Sequence, residues 1–186
     1  MSAVNPDPVR ADEPYQALDF TYDDAISKQV LAETVDTLSR DNPAYRAVVE
    51  AELAGRDIVA EFRDVFGPLG LRHDNLADTM AAYWISMWSI IHNKPLANGA
   101  QALAVRDQVL PRIASSELTA SVDKRQMMGE ALVYESTVAY GVYRDALSNK
   151  QDLQLRQMAR SAKQNTRKKG YELAKMKLTN QGMRRR

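Results

Sequence analysis

The sequence predicts an all-α fold: a single-domain bundle of five or six helices around a central apolar helix at about 75–92. Three observations carry that expectation. Residues 79–91 hold no charged side chain and contain both tryptophans, Trp84 and Trp88; a helix apolar nearly all round must be enclosed by others. Apolar residues elsewhere recur at three- and four-residue spacing, with no alternating run strong enough to mark a sheet. Breakers and capping residues punctuate the chain at helix-length intervals. With 186 residues, 45% hydrophobic and 26% charged, the chain can bury one core and lies far from the composition of disordered proteins.

Residues 1–22 read as a flexible, extended leader. Pro6, Pro8 and Pro14 stand among acidic residues, and Tyr15, Leu18, Phe20 and Tyr22 are available to pack on the body. A first helix is expected at about 23–39, with Asp23 and Asp24 at its positive end and Ile26, Val30, Leu31, Val35 and Leu38 on its apolar side. Asp41-Asn42-Pro43 opens a second, expected to reach about Phe66. Gly55 inside it costs about 1 kcal/mol against Ala and marks a close crossing or a bend. Gly67-Pro68 and Gly70 then stop the chain, Asp74 is offered as N-cap, and the central helix follows until Asn93-Lys94-Pro95.

A fourth helix is expected at about 98–115, kinked or divided by Pro111, and a long fifth from Ser121 to about Leu147. The sixth, about 151–169, is thinly apolar. Beyond Gly170 no helical period survives, and an irregular tail is expected. The domain organisation is thus a leader (1–22), a helical domain (23–169) and a basic tail (170–186).

Net charge is only +1, but it is unevenly spread. Residues 150–186 carry 12 Lys/Arg against Asp152 and Glu172, a local +10, while residues 1–149 sum to −9. Such asymmetry points to an anionic partner for the basic part. Arg156, Arg160, Lys163 and Arg167 fall at i, i+4, i+7 and i+11, one stripe of the sixth helix, and Lys168 and Lys169 extend it. The stripe reads either as a footprint for nucleic-acid or lipid phosphates, or as cations that complement a helix C-terminus or dock on the acidic body. Tyr171 is the only aromatic nearby, so base stacking is not expected.

Arg72, Asp74, Asn75 and Asp78 form the densest polar cluster, at the mouth of the central helix. Asp74 and Asp78 share a helical face. They read as capping groups with Arg72 as counter-ion, or as a carboxylate pair poised by a cation for an enzyme reaction. Tyr83, Trp84, Met87 and Trp88 read as core, or as the lining of a cavity between helices.

With no cysteine there is no disulfide, thiolate metal site or Cys nucleophile. His73 and His92 lie about 25 Å apart along the central helix, too far to share a metal. Ser121-x-x-Lys124 matches a short penicillin-binding-protein pattern without its companion motifs. Neither metal nor cofactor is therefore expected.

No stretch is long and apolar enough to span a membrane. The chain reads as cytoplasmic as written, or as periplasmic or exported if it is a mature form without its signal peptide.

The strings Gly70-Leu71-Arg72, Asp74-Asn75-Leu76-Ala77-Asp78 and Ala82-Tyr83-Trp84, with Trp88 and the ending Leu178-Thr179-Asn180-Gln181-Gly182, resemble an uncharacterised bacterial family. That domain of unknown function carries a G-L-R-x-D-N-x-A-D motif followed by aromatics. His73 departs from the proline more usual there. The resemblance implies a helical fold and an exported location, and no chemistry. The functional expectation is a non-enzymatic binding or structural module working through a protein partner or self-association. The alternatives are polyanion binding through the basic helix and tail, and catalysis by Arg72, Asp74 and Asp78.

Overall fold

The computed structural model describes residues 13–40, 43–116 and 119–186; the expectations for residues 1–12, Pro6 and Pro8 among them, and for Asp41-Asn42 as a helix start lie outside them. Eight α-helices and one two-stranded sheet are present among the described residues. The helices are α1 (Glu13–Gln16), α2 (Asp24–Ser39), α3 (Arg46–Ala54), α4 (Ile58–Phe66), α5 (Leu76–His92), α6 (Gly99–Ala114), α7 (Val122–Ser148) and α8 (Asp152–Lys168). The strands are β1 (Met176–Thr179) and β2 (Gly182–Arg185). The mostly helical domain is the predicted class. The count exceeds six because a short turn precedes α2 and because the expected second helix is two.

That division has a local cause. Gly55 ends α3, and Asp57 restarts the chain by accepting from Ala60 N at 2.9 Å as the cap of α4. Pro111, by contrast, is accommodated within a single α6.

Every residue of α5 from Leu76 to Met87 is buried. α6, α7 and α8 enclose it, and Ala77, Ala81 and Ala82, each fully buried, let their backbones approach. Without surrounding water its hydroxyls must bond inward; Ser86 does so to Ala82 O at 2.8 Å. Phe62 and Phe66 of α4 stack at 4.7 Å and complete the core beside α7.

The tail is not irregular. β1 and β2 pair antiparallel, with Leu178 opposite Met183 and Lys177 opposite Arg184. Two helices hold this hairpin from outside. Gln108 of α6 treats Met183 as a strand neighbour, accepting its N–H at 2.7 Å and donating to its carbonyl at 2.9 Å. Trp88 of α5 donates to Met176 O at 3.1 Å, and His92 lies 3.2 Å from Leu173 O. Leu173 and Met183 are consequently buried.

The other end of α5 is held by residues 15–22. Leu76 N donates to Leu18 O at 3.0 Å and Phe20 N to Asp74 O at 2.9 Å, so this stretch pairs with the entry to α5. Phe20 packs on α7 at Gly129, where an added Cβ would lie 2.3 Å from the ring. Gly129→Ala gains up to about 1 kcal/mol of helix propensity but must displace a buried Phe. A net loss of about 2 kcal/mol is expected, measured by urea denaturation.

Candidate functional site

The entry to α5 brings all four predicted motif residues together and adds two from the N-terminal segment, Tyr15 and Asp19. The cap of α5 is Asn75, not the expected Asp74. Asn75 Oδ1 accepts from Ala77 N at 2.9 Å and Asp78 N at 3.3 Å, while its amide donates to Asp19 Oδ1 at 2.7 Å and Tyr15 O at 2.9 Å. The amide wins because this position needs both an acceptor for the helix and a donor for the neighbouring chain; a carboxylate supplies only acceptors. Asp74 instead pairs with Arg72 Nε at 2.9 Å. Arg72 also reaches Asp19 at 3.2 Å.

Asp78 is fully buried. Its Oδ2 accepts from Tyr15 O–H at 2.6 Å and Arg72 N at 3.0 Å, and its Oδ1 is enclosed without a partner. Burial pushes its carboxyl above the ordinary range despite those bonds and the charges of Arg106 and Arg72. Burial, with the Asp78 charge, pushes the Tyr15 hydroxyl up to about 12. Asp74 shifts the other way: partial burial works to raise it, but the Arg72 hydrogen bond and charge outweigh this.

His73 receives Arg63 at Nε2, 2.8 Å away, and burial lowers its pKa. Since a guanidinium only donates, that ring nitrogen carries no proton. The cluster ties the N-terminal segment to α5.

The four aromatic and methionine candidates on α5 have different surroundings. Tyr83 and Met87 are core. Trp88 donates to the hairpin. Trp84 lines a hollow of about 160 Å³, with Met80, Val109, Met128 and Tyr171. Its Nε1 is enclosed and meets no acceptor in good hydrogen-bonding geometry, though Tyr171 packs on the indole at 5.1 Å and feels its N–H.

The basic stripe is where the spacing places it. Arg156, Arg160, Lys163, Arg167 and Lys168 are exposed along α8. Among the described residues, Arg156, Arg160, Lys163 and Lys168 form no ion pair, and Arg167 meets Glu172 only at 3.9 Å. Lys169 is engaged: it bridges to Glu135 at 2.6 Å and sits 4.7 Å over the Tyr83 ring.

A family model described as a family of unknown function, DUF6683, matches residues 3–186. The chain belongs to that family. No curated protein and no solved structure matches it.

In this DUF6683 chain, among the described residues, no three His, Asp or Glu side chains gather to hold a metal ion. No helix there is long and apolar enough to cross a membrane. Sequence reading missed Tyr15 and Asp19 as partners of the motif, which sit some 60 residues away. It also missed Glu130, an acid at a helical position with no local signal, 95% buried on α7.

Proposed function

We propose that this protein is a non-enzymatic helical binding module whose contact element is α8 and whose ligand is a nucleic-acid backbone. The observation that supports this most is the solvent face of α8. It presents Arg156, Arg160, Lys163, Arg167 and Lys168, interleaved with Gln157, Ser161, Gln164 and Asn165, and its one carboxylate, Asp152, stands at the first residue of the helix. Cations that satisfied the fold would be paired within it; four of these are not.

The remaining face decides between polyanions. Leu155, Met158 and Ala162 pack on the core, so α8 has no apolar face free to enter a bilayer. The absence of aromatics among the residues on the solvent face favours phosphate contact without base readout.

Four cations spread along about 16 Å of helix give a slope of about −4 for log affinity against log salt on duplex DNA. Affinity is therefore expected to fall roughly two hundredfold between about 50 and 200 mM salt. The double variant Arg160→Gln, Lys163→Gln is expected to reduce the slope by about 2 with an unchanged melting temperature. Fluorescence anisotropy with random duplex DNA, beside anionic vesicles, checks this. Unchanged anisotropy at low salt refutes it, and binding to vesicles alone reassigns the partner.

A second reading, contact with a protein partner or another copy, is favoured by exposed Leu147 and Leu153, which flank the α7–α8 turn. Light scattering on the eluting protein tests self-association.

A further inference from the structure

The corner between α3 and α4 faces α7 across an open cleft of about 440 Å³. Its walls combine Ile58 and Val133, the Tyr134 ring, and the polar groups of Arg56, Asp57 and Glu130. The charges do not cancel. Arg56 is already held by Glu61, at 2.9 Å through Nε, and is neutralised by it. Asp57 caps α4 through Oδ1. Glu52 and Asp145 lie close enough to act on Arg56 and add to the negative field, against which Arg144, acting on Glu61, sets one cation.

Glu130 is the decisive group. It is 95% buried, which is costly for a carboxylate unless it is fully bonded. Oε2 accepts from Ser27 Oγ at 2.9 Å and Gln126 Nε2 at 3.2 Å. Oε1 has no protein donor, and Glu130 is one of the residues that line the cleft. Burial raises the Glu130 pKa above the ordinary carboxylate range, against the bonds from Gln126 and Ser27, and a bound cation would oppose that shift.

We infer that this cleft binds a small organic cation, a guanidinium or ammonium on a short apolar stem, with Glu130 Oε1 as counter-ion. Val59 and Tyr134, the half-buried walls of the cleft, then receive the stem, Tyr134 with an aromatic ring of the kind that cations favour. The site lies apart from the basic face of α8 and does not depend on it.

The test is isothermal titration calorimetry with butylguanidinium chloride and its uncharged counterpart, butylurea. Saturable binding of the cation is expected, at least tenfold tighter than that of butylurea. Glu130→Gln keeps an acceptor for Ser27 and Gln126 but removes the charge, and should weaken cation binding at least tenfold. Val59→Arg, at a half-buried position on the cleft wall, should abolish it by filling the space. Circular dichroism checks both folds; if Glu130→Gln fails to fold, Val59→Arg decides alone. No saturable heat at millimolar cation, equal binding of butylurea, or undiminished binding by the folded variants overturns the inference.

Discussion

Asp78→Ala is expected to lose about 3–4 kcal/mol, a fall of roughly 10 °C in melting temperature for a chain of this length. The substitution removes one acceptor from two donors at once, Tyr15 O–H and Arg72 N. It also releases the hold of Tyr15 on the start of α5. Asp78→Asn should lose less, about 1–2 kcal/mol, because an amide oxygen still accepts both bonds while its NH2 takes the enclosed place of Oδ1 without an acceptor.

The pH dependence separates the two aspartates. Burial raises the Asp78 pKa, so the folded state holds that proton more tightly than the unfolded one. The stability it contributes is full below the ordinary Asp value and is lost as pH rises through the raised one. Asp74, depressed by Arg72 against the effect of its burial, contributes stability above the ordinary value and loses it as pH falls. The Asp78→Asn variant should therefore gain on the wild type as pH rises from about 4, in thermal melts across that range. A catalytic aspartate would behave otherwise, its loss sparing the melting temperature; a wild-type melt for Asp78→Ala refutes the structural role.

Gly182→Ala is expected to release the C-terminal hairpin, at a loss of about 3 kcal/mol or more. Gly182 has φ +87°, where a side chain is strained in any surroundings. Here the surroundings also forbid it. A Cβ would lie 2.6 Å from Gln108 Oε1 and 3.0 Å from Ala104 O, and the second is backbone that cannot yield. Lifting the strand breaks both Gln108 bonds to Met183 and loosens the Trp88 bond to Met176. Trp88 fluorescence should shift red and hydrogen exchange at Met183 should quicken. An unchanged emission maximum refutes the clamp.

What the sequence reveals and what it hides follow from the range of the interactions. The central helix was legible to within a residue, about 75–92 against 76–92, because burial all round leaves an uncharged run. Its cap was misread by one position: Asp74 and Asn75 both cap helices, and the choice rests on an acceptor near residue 19. The break at Gly55 was recognised as a weak point, but not Asp57 as a new cap. The hairpin was invisible because four-residue strands carry no readable period and its supports, Gln108 and Trp88, lie some 75 to 90 residues away. The one local signal was Gly182 directly after Asn180-Gln181, a turn sequence. Of the candidate site, the α8 stripe was legible from spacing alone. The Glu130 cleft was not, since it needs three elements to meet.

The grip of residues 173–186 on the far end of α5 has a consequence for biosynthesis. Until that stretch emerges from the ribosome, the Trp88 N–H has no Met176 carbonyl to receive it and that end of α5 lacks the cover of Leu173. The nascent polypeptide must hold a tryptophan-bearing rod half unwrapped while α6, α7 and α8 are translated. The contacts that close this end join residues some 75 to 90 apart in the chain, so they form after the local helices do.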